Sequence, residues 1–350
     1  MSTDRAAPDT VEDPIEYFLT DISFQGKSER TQEAYERVLR DFESSIGTDT
    51  LATATHRDCM AWIHDQRDGR SESTIATYAS YLHRFYSYMT QIGTFESNPM
   101  AIVVEELDES IDSDPARRDV SIDAMKRFVD DVTHPLKRAL IVTLLKTGMR
   151  VGELCNLDQR DLHLADDPRN DVTIRPSLDG RENTLYVSSD PARGENVNGE
   201  VRSASNKRRR DTVIPVDDDL VTTLRAWLDV RPDPVSRADP LFVSTGDNWG
   251  RRVTTDAVHH IVTTHAREWG WYADGGGVEE NVTPHYFRHF FTTHLRDRTG
   301  DRGIVKYLRG DVAQDVIDTY THDWGDRVRD VYERNVYALP VPEYRSTSHR

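Results

Sequence analysis

An acidic, polar run at 104–118, VEELDESIDSDPARR, cuts the 350-residue chain in two. It offers few apolar groups for burial, so it reads as a linker, and each flank must close its own core. The N-terminal flank shows helical periodicity and no strand alternation. Residues 13–24 form a short helix with Pro14 near its start. Ser28 is placed to cap a second helix, in which Tyr35, Val38, Leu39 and Phe42 recur at helical spacing before Gly47 ends it. A third helix is expected over about 55–66. A fourth runs over about 73–91, with a stripe of Ile75, Tyr78, Leu82, Phe85 and Met89 that marks a packed face. These give a helical domain over 13–103, preceded by a disordered 1–12.

Beyond the linker the pattern changes. Ser121 caps a helix, residues 134–147 make a strongly apolar one, and Gly148 breaks it before RVGELCNL adds a further helical turn. Residues 171–176, DVTIRP, and 183–188, NTLYVS, alternate as strands do. Residues 212–216 are a third β-run, where Pro215 suits an edge or a strand end. Helices follow over 217–230 and from Thr254, with PLFVS at 240–244 as a short buried segment, and a last helix covers 326–336. The second domain is thus a mixed one over 119–338, and 339–350 is an extended tail.

The formal net charge is −17, which by itself argues against a nucleic-acid partner. Arginine supplies nearly all the positive charge, because there are only six lysines against 61 acidic residues. A surface of this kind resembles those of proteins from salt-loving microbes, in which salt screens self-repulsion. On that reading the total charge reflects habitat, and local basic clusters stay informative. No apolar run approaches a membrane span, and the N-terminus has no apolar core segment of a signal peptide. Cys59 and Cys155 lie far apart and read as small buried residues in a reducing cytoplasm.

Residues 283–322 concentrate the groups suited to phosphate chemistry. His285 and Arg288 stand three apart and share a helix face. A guanidinium beside a proton-transfer group neutralises a phosphate and relays its proton. Tyr320 follows in the same stretch, and a phenol can carry a covalent intermediate. His285 and His289 are not a metal pair, since no acid follows the first and no third ligand has suitable spacing.

Four features in order make the second domain resemble the catalytic domain of tyrosine recombinases, the phage-integrase and Xer-type family. TGMRVGELCNL at 147–157 is similar to the first arginine box of that family, and TPHYFRHFFTTHL at 283–295 to the second. YLRGDVAQDVIDTYTH at 307–322 is similar to the nucleophile box. Lys207 stands eight residues before Pro215, as the family's β-hairpin lysine does before its strand-ending proline. The first domain resembles the family's core-binding domain in its helical character and its place in the chain.

The resemblance implies a helical core-binding domain followed by a mainly helical α/β catalytic domain with a small antiparallel sheet, the DNA breaking-rejoining fold. The two would clamp duplex DNA, without metal or other cofactor, as a dimer on one site and a tetramer in the synapse. Accessory proteins are possible partners, and the expected place of action is the cytoplasm, on the nucleoid. Arg150 and Arg288 would hold the non-bridging oxygens of the scissile phosphate, since the planar guanidinium meets two oxygens at once. Tyr320 would attack phosphorus and form a 3′-phosphotyrosyl link. Lys207 would protonate the leaving 5′-oxygen, His285 would relay the Tyr320 proton or hold the phosphate, and Glu153 would orient Arg150. Arg208, Arg209 and Arg210 would contact DNA phosphates. The segment after Tyr320, with Val328, Val331 and Tyr332, is a candidate for docking on a neighbour or for packing on its own domain.

One position departs from the pattern. Asp311 stands where the family usually carries histidine or tryptophan, and a negative charge beside a phosphate is unfavourable. The expectation is an altered but active site, in which Asp311→His raises cleavage. The rival readings are a type IB topoisomerase, which would relax supercoils without a specific site, and a catalytically weak DNA-binding protein on the same scaffold.

Overall fold

The structure is a computed structural model that describes residues 12–27, 29–47, 50–107, 117–165, 173–311 and 324–341. The chain divides between residues 115 and 116 into two compact units.

The first unit holds α1 (Pro14–Phe24), α2 (Glu29–Ser45), α3 (His56–Gln66), α4 (Glu72–Gln91) and α5 (Met100–Glu105). Asp13 starts α1 by accepting the Ile15 and Glu16 amides at 2.9 and 3.1 Å, while Pro14 has no amide to satisfy. Thr55 and Asp58 cap α3 reciprocally. The apolar faces meet in an aromatic core. Phe18 packs edge-on against Phe85 at 5.5 Å between centroids, and Tyr35 stacks on Tyr81 at 4.1 Å. Such pairs add about 0.5–1.5 kcal/mol each beyond simple burial. The α4 stripe is buried except for Tyr78, which is half-buried and stacked on Trp62. Helix α5 buries Met100 and Val103 in this core and runs on to Glu105, beyond the expected boundary at 103. The expected cap Ser28 lies outside the described residues.

The second unit is built around α7. It contains α6 (Ile122–Asp130), α7 (Pro135–Thr147), α8 (Val151–Cys155), β1 (Leu162–His163), β2 (Thr184–Val187), β3 (Asn196–Val197), β4 (Glu200–Val201) and β5 (Thr212–Pro215). Then come α9 (Asp218–Leu228), α10 (Thr255–Glu268), α11 (Pro284–Thr299), α12 (Arg302–Arg309) and α13 (Trp324–Asn335). Helix α7 is buried from Ala139 to Thr147, as its apolar sequence requires. Even Lys146 is fully buried. Its ammonium donates to Asp217 Oδ2 at 2.5 Å, Asp219 Oδ2 at 2.7 Å and the Tyr337 carbonyl at 2.7 Å, so the buried cation is paired and hydrogen-bonded.

The main sheet is antiparallel, in the order β1-β2-β5, with Leu185 opposite Ile214. The long β2–β5 connection carries the β3–β4 ribbon. Residues 173–175 are not the strand expected of DVTIRP, and Pro176 opens a 3₁₀ turn. Pro176 has no amide for a ladder, and the Arg175 guanidinium is drawn to Asp161 and over the Tyr186 ring. Leu162–His163 pairs with β2 instead. Helix α13 packs on its own unit. Val328 and Tyr332 are buried, and the Tyr332 hydroxyl donates to the Lys146 carbonyl at 2.9 Å, so neither is offered to a neighbour. Burial pushes both cysteine thiols up to about 12. Among the described residues no helix is long and apolar enough to cross a membrane.

Candidate active site

The site forms where three chain segments end. Helix α7 stops at Gly148 in a left-handed conformation, φ 60°, and a Cβ there would lie 2.3 Å from the Phe291 ring. Glycine therefore serves twice, for the turn and for the close approach of α11. The chain then runs extended through Arg150 and enters α8. Helix α12 likewise stops at Gly310, φ 70°, and a Cβ there would meet Arg208 Cγ at 2.2 Å. These two stops turn Arg150 and Asp311 toward the first turns of α11.

Arg288, on α11, ties the segments together. It is 2% exposed. Its Nη1 donates to the Gly148 carbonyl at 2.7 Å and the Arg309 carbonyl at 3.1 Å. Its Nη2 donates to Asp311 Oδ1 and Oδ2 at 2.7 and 2.8 Å. Arg150 Nη2 reaches the same Asp311 Oδ1 at 2.8 Å, while its Nη1 donates to Glu153 Oε1 at 3.1 Å and the Lys207 carbonyl at 3.2 Å. Arg309 Nη2 completes the ring, 2.9 Å from Asp311 Oδ2. The two arginines read from sequence thus meet at one carboxylate, with a third that sequence reasoning passed over. Its only signal was its place in LRGD, beside the aspartate that breaks the family pattern.

The charges follow from this geometry. Burial pushes the Arg288 guanidinium down to about 10, with Arg309 and Arg150 adding repulsion, yet it stays cationic at neutral pH. Burial raises the Asp311 carboxyl, but Arg288, Arg309 and Arg150 outweigh it and hold it below the ordinary carboxylate range. His285 lies on the first turn of α11. Lost hydration and then Arg117, Arg288, Arg309 and Arg150 disfavour its imidazolium, so it is neutral at neutral pH and able to accept a proton.

The basic run 207–210 splits. Lys207 is exposed in the connection leading into β5, with its backbone bonded to Arg150. Arg209 is exposed, its amide donating to the Gly310 carbonyl at 3.2 Å, and Arg210 is half-buried over the Tyr307 ring. Arg208, expected at DNA, is turned inward. Its Nη2 donates to Glu153 Oε2 at 3.1 Å and its Nη1 to the Leu308 carbonyl at 3.0 Å, with the side chain wholly covered. The Glu153 carboxylate is also buried, so it braces Arg150 and Arg208 together. Tyr320 lies outside the described residues.

Residues 121–324 match the model of the phage integrase family, and residues 15–93 that of its N-terminal SAM-like domain. The chain belongs to the phage integrase family. Among curated members, tyrosine recombinase XerC of Alcanivorax borkumensis is 28% identical over 333 residues, covering 91% of this chain and 92% of that protein. Tyrosine recombinase XerD of Listeria monocytogenes is 25% identical over 340 residues, covering 93% and 98%. These relatives do not bear out the salt-loving source read from the charge balance. Among solved structures, the Tn1549 transposon integrase in complex with a circular intermediate DNA gives a TM-score of 0.62 at 18% identity, covering 92% of this chain and 98% of that one. A lambda integrase tetramer bound to a Holliday junction gives 0.60 at 14% identity, covering 89% and 83%. The fold of this phage integrase family member is that of these enzymes, a helical N-terminal domain followed by a catalytic domain with a small antiparallel sheet.

Proposed function

We propose that this chain is a site-specific DNA recombinase of the tyrosine type, acting in the cytoplasm on DNA of the nucleoid. One observation carries the reading. Arg150 and Arg288, far apart in sequence, donate to a single carboxylate oxygen of Asp311 at 2.8 and 2.7 Å. Two guanidinium groups that can share one carboxylate oxygen can equally share the oxygens of one phosphate.

In the proposed reaction the Tyr320 oxygen attacks the scissile phosphorus. A phosphotyrosyl bond to the 3′ end forms and the bond to the 5′-oxygen breaks. His285, neutral for the reasons above, takes the phenol proton, and Lys207 delivers a proton to the 5′-oxygen. Arg150 and Arg288 stabilise the charge that grows on the equatorial oxygens, a role worth about 10²–10³ in rate per donor in comparable sites. Glu153 keeps Arg150 aimed. The phosphodiester energy is kept in the covalent link, so religation reverses the step without a nucleotide. Exchange between two duplexes cuts four strands and so uses four protomers. The DNA-bound assemblies of the related lambda integrase support this, since they include dimers and a tetramer. Arg209 and Arg210 are the phosphate contacts favoured from the basic run, because Arg208 is engaged by Glu153.

A nicked suicide duplex tests the proposal. The wild-type chain should form a covalent adduct on its cognate site and Tyr320→Phe none. Relaxation of supercoiled DNA of any sequence, with no preferred site, would instead favour the topoisomerase reading.

A further inference from the structure

We infer that Arg309 is a third phosphate-holding arginine of this site, and that Asp311 is a built-in competitor whose carboxylate sits where the phosphate must go. The inference rests on the reading above that the anion bound here is a DNA phosphate.

The carboxylate of Asp311 is gripped from three sides. Arg288 holds both of its oxygens, at 2.7 and 2.8 Å, Arg150 holds Oδ1 at 2.8 Å, and Arg309 holds Oδ2 at 2.9 Å. A fork onto two oxygens of one anionic group is how a guanidinium also binds a phosphodiester. The charges do not balance: three cations meet one anion. Glu153 does not make up the difference, because it is shared with Arg208, which is fully buried against it. An excess of positive charge facing a carboxylate that is 26% exposed is a seat suited to an anion with more charge and more oxygens, such as a phosphate at the transition state.

Arg309 differs from a structural arginine in two respects. Its side chain is 29% exposed, whereas that of Arg208 is wholly covered. Arg309 Nη2 also faces the carboxylate that Arg150 and Arg288 share, 2.9 Å from Asp311 Oδ2, whereas Arg208 Nη2 is turned away to the buried Glu153. Asp311 in turn is anchored by its backbone, whose amide donates to the Lys306 carbonyl at 3.0 Å. A change of side-chain rotamer would therefore withdraw the carboxylate without undoing the helix end. The Arg309–Asp311 pair then acts as one device: Arg309 helps to hold the aspartate while the seat lacks phosphate, and takes the phosphate when the aspartate leaves.

The test titrates the full chain with inorganic phosphate by calorimetry at low ionic strength. Asp311→Asn should bind phosphate roughly tenfold or more tighter than wild type, since a like charge is removed from the seat. Adding Arg309→Gln to that variant should abolish most of the gain, while Arg309→Gln in the wild-type background should change phosphate binding little. Asp311→Asn binding no tighter than wild type, or the double variant binding as tightly as Asp311→Asn, would overturn the inference. Should Asp311→Asn fail to fold, Arg309→Gln alone decides. Adduct formation on the suicide duplex should fall about 10²-fold, as for loss of one phosphate-facing donor, with partial rescue by Arg309→Lys. An unchanged adduct rate would overturn it. Tighter phosphate binding with no adduct on any duplex would leave the seat standing and sink the recombinase reading. A wild-type adduct with no phosphate gain in Asp311→Asn would do the reverse.

Discussion

Arg150 stands between two ion-pair clusters that look alike on paper and differ in kind. On one side Glu153 and Arg208 form a pair with both side chains wholly covered, their other bonds going to backbone and, from Glu153 Oε1, to Arg150 Nη1 at 3.1 Å. On the other side Asp311 meets Arg150, Arg288 and Arg309 in a cluster that is about a quarter exposed at the carboxylate. The first is two cations to one anion, and its carboxylate is wholly covered, with no access for a ligand. The second is three to one, within reach of solvent. Burial and stoichiometry together separate an arginine that holds the protein from one that can hold a substrate.

Breaking the covered pair should have the largest effect. Glu153→Ala leaves Arg208 buried without its anion and should cost about 3–5 kcal/mol, seen as a lower denaturant midpoint. Arg150→Ala should move the other way. It should slow adduct formation by about 10²–10³ while shifting the midpoint far less than Glu153→Ala, because its guanidinium is partly exposed. Equal losses of stability in the two variants would erase the distinction. A smaller effect concerns His285. With its imidazolium disfavoured, cleavage should be complete above the ordinary histidine range and fall as pH drops through the lowered value. His285→Gln should remove that acid limb from the pH–rate profile, and a limb that persists assigns it to another group. The smallest effect is on stability in acid. The Asp311 carboxylate is held below its ordinary range, so its contribution is present above the unfolded value and lost as pH falls through the folded one. The difference in melting temperature between wild type and Asp311→Asn should therefore shrink toward low pH.

Much of this was legible in the sequence. The arginine boxes can be read because each is local: Gly148, Arg150 and the start of α8 in the first, and Thr283, Pro284 and Arg288 at the start of α11 in the second. The acidic run at 104–118 separates two patterns of periodicity that each imply a core, and the two units divide within it. What escaped the sequence was decided by contacts between distant segments. Arg208, Arg209 and Arg210 are the same residue type in a row, and nothing local says which turns inward. Glu153 and the space left by Gly310 choose Arg208. DVTIRP alternates as a strand should, but Asp161 and Tyr186 claim Arg175, and Pro176 cannot join a ladder. Arg309 drew no notice because its meaning depends on Arg150 and Arg288, both outside its own box.

The central claim is that Arg150 and Arg288 share one phosphate of DNA with Asp311 displaced from it. A crystal structure of Tyr320→Phe on the duplex recovered from the wild-type adduct tests this most directly. The scissile phosphate should lie with its non-bridging oxygens on Arg150 and Arg288, and the Asp311 carboxylate should have left both guanidinium groups. A phosphate bound elsewhere, with Asp311 still seated on Arg288, would contradict the account.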